Sequence, residues 1–519
     1  MADFSRTHAL PGEPTSPWLA STSEETREAD VTRLEGTDSA DVAVVGGGIV
    51  GLSTAIELRE RGRSVVVLER DRVATGVTGK STAKLTSQHG AIYDHLRREF
   101  GRQAASRYAA VQEEAIDRVE DRIDDLGIDA AFERVPSYLY GDEPDAIERE
   151  TDAARVAGLE ASYVTSVPPF ERAQAAMRFE DQAWFHPRKY LLAVADELHA
   201  DDEATIYEGT RVTDVDPGEP ARVRTEEGIV RAADIVVATG FPIRDRAGYF
   251  ARVHPKRSYV LGLRIDGRPP EGMYYRTGDS YRSVRTHRDE DGVLLLVGGE
   301  DHKTGQGGST IERYRRLLHW ARERFPVEDV AYRWSTQDYV SADKVPLVGR
   351  AEPRTESVYV ATGFRGWGMT NGVAAGRLLA DLLTGDRPPE ADLFDPLRFT
   401  PKASLGKTVT ENADAASQFV TDWARTLLSP DLEHVDRGEG LVVREGSHPV
   451  AVARDEDGEV HAVSAVCSHM GCLVEWNDAE ASWDCPCHGS RFSPDGEVLE
   501  GPANEDLDAR HPDRPGEST

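Results

Sequence analysis

The sequence predicts a long α/β body followed by a small all-β module. Two observations carry that fold class. Residues 41–70, "DVAVVGGGIVGLSTAIELRERGRSVVVLER", read as strand, glycine turn, helix and strand. Near the other end, all four cysteines fall in two short boxes, "CSHMGC" from Cys467 and "CPCHGSRF" from Cys485, set among strand-like segments.

The chain opens on a polar stretch, residues 1–37, with Pro11, Pro14 and Pro17, expected to be flexible. It holds no apolar run long enough for a signal peptide. No segment reaches the roughly eighteen consecutive apolar residues of a membrane span, and a twin-arginine export signature is missing. The expectation is a cytoplasmic protein without membrane insertion. Charge agrees: 92 acidic residues against 61 basic ones leave a net −31, which argues against nucleic acid and anionic lipid as partners. The acids are spread along the chain, so they read as a solvated surface of the kind found in an acidic proteome; a basic partner is the other reading.

The body, residues 38–398, starts with the glycine turn. Gly46 allows the tight bend, Gly48 lets backbone approach a pyrophosphate, and Gly51 lets the helix pack on the strand. Gly46, Gly48, Ile49, Val50 and Gly51 are therefore candidate phosphate-side residues, at a helix N-terminus whose free N–H groups and dipole suit anions. Glu69, with Arg70 beside it, ends the second strand, where an acid accepts hydrogen bonds from an adenosine ribose. This predicts a dinucleotide cofactor. The first unit does not choose between FAD and NAD. Two later segments do: a short β-meander returning to a strand at Ile235–Ala238 with a turn at Thr239–Gly240, and "SVYVATGFRGWGMTNGVAAGRLLADLLTG", a strand, glycine-rich turn and helix from about Asn371 to Leu383.

That order resembles the glutathione-reductase-like FAD fold, and more closely the D-amino-acid oxidase and glycine oxidase superfamily. The resemblance implies an α/β FAD-binding Rossmann domain with an interleaved α+β substrate domain. It also implies roles at matching positions. Thr78, Thr82, Ala83 and Lys84 fall in the loop flanking the isoalloxazine, and Val212 where a backbone group meets the adenine. Gly240 falls at a turn after a core strand. Gly363, Phe364, Arg365, Gly366, Gly368, Met369 and Thr370 fall at the pyrimidine end, where a helix N-terminus favours negative charge on reduced flavin.

The substrate end departs from that superfamily. Its amino-acid oxidases carry an arginine before "D-x-x-P-x-x-G" that grips a substrate carboxylate. Here Asp343, Pro346 and Gly349 are kept, but Thr336, Gln337 and Asp338 occupy the arginine's neighbourhood. A bidentate clamp needs guanidinium, and Asp338 repels a carboxylate. Arg282 and Arg285 are substitute candidates, or solvated strand residues. His89 is a candidate acid/base, or a structural histidine.

A linker, residues 399–431, follows the body. Phe419, Val420, Trp423 and Leu427 fall at helical spacing in it. The module spans 432–507, with a polar tail at 508–519. Its boxes supply C-x-H, Cys467 and His469, and C-x-x-H, Cys485 and His488. Two Cys and two His suit a structural zinc or a Rieske [2Fe-2S] cluster with two Cys on one iron and two His on the other. The β-like surroundings argue against a zinc finger. The boxes resemble the Rieske pattern C-x-H-x-G-C … C-x-C-H-G-S residue for residue. That resemblance implies a small all-β Rieske domain and metal ligands Cys467, His469, Cys485 and His488. It further implies a disulfide between Cys472 and Cys487, a hydroxyl of Ser490 bonded to a cluster sulfur, and "EGPAN" as a loop covering the cluster. Phe492 stands where related proteins carry a tyrosine.

Together these imply an oxidoreductase. A small organic substrate would reduce FAD, and electrons would pass singly through the cluster to or from an external one-electron protein. A redox sensor or electron-carrier module is the alternative reading. A Rieske oxygenase would need a mononuclear iron site of two His and a carboxylate, which the sequence does not offer.

Overall fold

The computed structural model describes residues 10–22, 32–278, 281–400, 435–445 and 448–510. Two large sheets build the body. The first has a parallel centre in which Gly36–Val45 lies between Val65–Leu68 and Gly228–Val237, flanked by Ala204–Tyr207 and Val358–Thr362. Where both faces are covered the strands read as continuous apolar runs; Val42–Val45 and Val65–Leu68 are buried throughout. Leu347–Arg350 and the meander Val212–Asp216 with Ala221–Thr225 add antiparallel edges.

The expected helix after the glycine turn spans Ile49–Glu60. The helix after the second glycine-rich turn begins at Gly368, one turn before the expected Asn371. The two helices pack closely, and glycine is the reason. A Cβ at Gly372 would lie 2.7 Å from Ile49 Cγ2, and one at Gly376 would lie 2.6 Å from Ser53 Cβ.

The second sheet is the interleaved substrate layer. Its strands come from segments between those of the first: Lys84–Leu85, Glu133–Gly141, Ala175–Trp184, and the run from Val253–Ile265 to Val327–Ser341. It is antiparallel except where Met273–Arg276 lies parallel to Glu133–Gly141.

Part of the expected flexible head is packed. Ser16 caps a short helix, Pro17–Ala20. Trp18 is fully buried, donates its indole N–H to Ser81 O at 2.7 Å, and sits against His186 and His287. A large apolar ring with a satisfied donor anchors the segment despite its prolines.

The module consists of a three-stranded sheet, Gly440–Glu445, His448–Arg454 and Val460–Ser464, and a four-stranded one, Glu475–Asn477, Ser482–Asp484, Arg491–Phe492 and Val498–Glu500. Trp483 and Phe492 fill its core. The expected tail starts with paired residues, Ala509 against Val463 and Arg510 N–H on Ala462 O. The expected linker helix, with Phe419 to Leu427, lies outside the described residues. Among the described residues no helix is long and apolar enough to cross a membrane.

Candidate functional site

A cavity of about 1150 Å³ opens where the parallel strands end. Its wall includes Gly46, Gly48, Ile49, Val50, Glu69, Arg70, Thr78, Thr82, Val212 and Gly240. The second glycine turn contributes Gly363, Phe364, Arg365, Gly366, Gly368 and Met369. The glycines are required by the geometry. Gly46 has φ +111°, and a Cβ there would lie 2.6 Å from Ala238 O; at Gly51 it would lie 1.8 Å from Gly46 O. Gly51 thus serves helix–strand packing and is not on the wall. Glu69 accepts the N–H of Gly47 at 2.7 Å and of Asp71 at 2.9 Å. Burial pushes its carboxyl up, against those two donors. Space, glycine cradle, helix N-terminus and acid fit an FAD.

Ala83, Lys84 and Thr370 lie behind the wall rather than on it. Thr370 takes the Thr86 N–H at 2.9 Å and donates to Thr86 O at 3.0 Å, pinning the loop to the helix. Lys84 is buried, and desolvation followed by the Arg285 charge pushes it well below the usual lysine range. Ala83 and Arg365 have φ +54° and +60°, left-handed values that non-glycine residues rarely take and that cluster at functional sites.

The module closes the cavity. Arg491, Glu497–Gly501, Ala503 and Asn504 are part of its wall. Arg70 reaches across to donate to Leu499 O at 2.7 Å, and Arg211 donates to Asn504 O at 2.6 Å. Gln337 Nε2 donates to Gly489 O at 2.8 Å, while its Oε1 takes the Thr304 hydroxyl at 2.6 Å. Between the two folds lies a buried charge network. Arg257 of the body pairs with Glu480, which Arg491 also holds at 2.5 Å; Arg491 further pairs with Asp484 at 2.9 Å and Glu500 at 3.2 Å. Burial alone would raise Glu480, but Arg257 and Arg491 hold it down at about 2. Sequence reasoning missed this interface, because nothing in either half says which surfaces meet.

In the cluster region, Cys467 and Cys485 are buried and unbridged. The rings of His469 and His488 stand 5.1 Å apart at 88°. Both Nδ1 atoms are buried with no hydrogen-bond partner, a costly arrangement unless something binds them. Cys472 and Cys487 form a disulfide of 1.99 Å. The sulfurs of Cys472, Cys485 and Cys487 also lie within 4.8 Å of one another. The bridge removes two of these as thiolates, which leaves two free thiols and two unpartnered imidazoles as donors for a metal group. Ser490 Oγ accepts the Ala503 N–H at 3.0 Å, joining the second box to the covering loop.

The structure places the three catalytic candidates off the cavity wall. His89 is fully buried behind Trp367, stacked on its ring at 5.1 Å, and shares a 2.7 Å hydrogen bond with Tyr108. Burial, then the Arg365 charge, pushes the imidazole down to about 3. It is neutral and off the cavity wall. Arg282 pairs with Glu300 and lies over Trp320. Arg285 donates to the carbonyls of Thr82 at 3.2 Å and of Ala83, between Trp18 and Trp184. Neither arginine reaches the wall; Ser283, between them, does. The wall also takes Lys256, Tyr281, Asp338 and Tyr339. Alternation along a strand would have grouped Lys256 with its same-face neighbours, had the inward face been known.

Residues 41–382 match the family described as FAD dependent oxidoreductase, and residues 424–510 match the Rieske [2Fe-2S] domain. A Bacillus subtilis (strain 168) protein named as a Rieske 2Fe-2S iron-sulfur protein, YhfW, is 37% identical over 481 residues, covering 91% of this chain and 94% of its own. Gamma-glutamylputrescine oxidoreductase of Escherichia coli (strain K12) is 27% identical over 379 residues, 68% of this chain and 85% of its own. In fold, the crystal structure of glycine oxidase from Geobacillus kaustophilus superposes with a TM-score of 0.58 at 19% identity, covering 70% of this chain and 99% of that one. The Rieske match decides against zinc for a donor set that suits both. The chain belongs to the FAD dependent oxidoreductase family and carries a Rieske [2Fe-2S] domain behind its flavin fold.

Proposed function

We propose that the protein exchanges electrons between an organic substrate in the flavin cavity and an external one-electron protein, by way of the Rieske cluster. One observation supports this: the cluster module supplies part of the wall of the flavin cavity, and Ala503 of that wall gives its N–H to Ser490 in the second cysteine box. When bound, FAD accepts an electron pair from an organic substrate, and a [2Fe-2S] cluster passes electrons one at a time.

The chain's own residues then have definite tasks. Gly46, Gly48 and the N-terminus of the helix Ile49–Glu60 cradle the pyrophosphate, and Glu69 orients the adenosine ribose. The N-terminus of the helix Gly368–Leu383 faces the pyrimidine end. Cys467, Cys485, His469 and His488 would hold the irons, and the Ser490 hydroxyl, which accepts the Ala503 N–H, would donate toward a cluster sulfur. Gln337 and Tyr339 fix the cluster loops against the cavity, and Arg70 ties Leu499 O across the seam. On this proposal the body spans residues 38–398, the module spans 432–507, the setting is cytoplasmic, and the Cys472–Cys487 bridge is intact in the working protein.

Anaerobic reductive titration followed by absorbance and EPR tests it. Flavin bleaching and the reduced-cluster signal should develop together within one chain, and a small-molecule metabolite should drive both. A cluster that stays oxidised while the flavin is fully reduced and given time to equilibrate would defeat the proposal. A protein that answers to dithionite but to no metabolite would favour the sensor reading.

A further inference from the structure

The loop of residues 77–83, which the resemblance puts beside the isoalloxazine, lends Val77, Thr78, Lys80, Ser81 and Thr82 to the cavity wall. Five successive carbonyls of this loop are each taken by a side chain from elsewhere in the chain. Ser16 donates to Gly79 O. Trp334 donates its indole N–H to Lys80 O at 2.7 Å, and Trp18 donates its own to Ser81 O at 2.7 Å. Arg285 donates to Thr82 O at 3.2 Å and to Ala83 O.

Two of these donors, Ser16 and Trp18, come from the N-terminal strap, residues 10–22, and the strap is itself built in. Glu13 gives its N–H to Ala331 O at 2.9 Å and accepts that of Arg333 at 2.8 Å, along the edge strand Val327–Ser341. Arg188 holds Thr22 Oγ1 at 2.6 Å, and Ser21 Oγ lies 2.9 Å from His186 Nε2. Ser16 and Trp18 are fully buried, and the Arg285 guanidinium lies 5.4 Å from the centre of the Trp18 ring. Donors sealed from water in this way have no alternative partner, so they fix the carbonyls they meet.

The Ser81–Thr82 peptide is trans, and a trans peptide is planar with its C=O and N–H on opposite sides. Trp18 stands behind the loop and draws the Ser81 carbonyl away from the cavity. The Thr82 N–H on the other side of that plane is therefore turned toward the cavity. Thr82 is on the wall, and its N–H meets no backbone acceptor among the described residues. We propose that Trp18 is a positioning residue for the flavin: by holding Ser81 O it aims the Thr82 N–H at the ring. A fixed donor there binds reduced flavin more strongly than oxidised flavin, because reduced flavin holds more negative charge. This inference needs only the FAD seat and is independent of electron exchange with the cluster.

The test uses the full chain loaded with FAD and cluster. Trp18→Phe keeps a ring in the core and removes the donor; Ser16→Ala removes the neighbouring tie. Leu19→Ala is the comparison, since Leu19 Cδ2 lies 3.0 Å from where a Cβ on Gly79 would be, yet its side chain donates nothing to the loop. An anaerobic dye-equilibrated titration gives the potential of the bound flavin, and fluorimetric titration of the apoprotein gives its affinity for oxidised FAD. In Trp18→Phe, reduced flavin should lose at least threefold more affinity than oxidised flavin, read as a lower flavin potential, with the cluster EPR signal unchanged. Ser16→Ala should shift the potential the same way by less, and Leu19→Ala should keep the parental value. A parental flavin potential in Trp18→Phe, or an equal fall in Leu19→Ala, would overturn the inference and leave the strap a packing element alone. If Trp18→Phe does not fold, Ser16→Ala against Leu19→Ala decides by the same readout.

Discussion

The Tyr339 hydroxyl donates to the carbonyl of Gly501 at 2.9 Å, and Gln337 Nε2 lies 3.1 Å from that same hydroxyl. Tyr339 belongs to the substrate sheet and Gly501 to the loop over the cluster. Both line the flavin cavity. The Tyr339 ring also packs on Phe241 at 5.3 Å, and Phe241 on His469 at 6.1 Å. The two cofactor sites are thus held in register by buried side chains rather than joined by chain alone.

Gly48→Val should abolish FAD binding and spare the cluster. A Cβ at position 48 would lie 3.1 Å from Thr78 Oγ1, and a branched side chain would fill the phosphate cradle. The iron ligands lie in the module, away from Gly48. Released-flavin absorbance and iron analysis on folded protein check this, with under a tenth of the parental FAD and close to two irons per chain expected.

Arg285→Met should weaken FAD binding about tenfold, worth about 1.4 kcal/mol, although Arg285 never touches the cavity. Its guanidinium ties down the carbonyls of Thr82 and Ala83, and Thr82 is on the wall. Fluorimetric titration of the apoprotein with FAD measures it. Parental affinity in the variant would show that the loop holds its shape without the arginine.

The seam between body and module should weaken in acid. Glu480 is held at about 2 in the folded protein against an ordinary 4.5. A depressed carboxyl adds stability above its unfolded value, and that contribution is lost as pH falls from about 4.5 through about 2. Denaturant titrations across that window should show the loss. Glu480→Gln should remove it at neutral pH, at a cost of about 3 kcal/mol for leaving buried arginines under-paired.

Phe492→Tyr should raise the cluster's reduction potential by several tens of millivolts. Phe492 is fully buried in the same core as Cys467 and Cys485. A hydroxyl bonded to a ligand sulfur stabilises the reduced cluster, which holds more negative charge; about 59 mV corresponds to about 1.4 kcal/mol for one electron. An EPR-monitored redox titration decides, and an unchanged or lower potential with the cluster intact means the ring faces away from the sulfur.

The parts legible in the sequence are those where local chemistry is tightly constrained. Gly46 and Gly51 admit no side chain, so the first turn announces itself. The cysteine boxes leave few alternatives for their donors. What stayed hidden depends on partners distant in sequence. Trp18 looks like loop until His186, His287 and Ser81 surround it. Arg282 and Arg285 look available for a substrate until Glu300 and the Thr82–Ala83 carbonyls claim them. His89 sits beside the right loop, yet Trp367 separates it from the cavity. Asp338 was visible as a departure from the superfamily, though its hydrogen bond with the Gly366 N–H and its place beside Lys256 required the fold.

The segment Glu497–Asn504 completes the flavin cavity and comes after the whole body in the order of synthesis. A container whose last wall arrives late is open while the rest of it folds. FAD can therefore load during translation, before the module seats itself against Arg70 and Tyr339. The cluster ligands lie in that same late module, so loading flavin first and cluster last needs no undocking of the module.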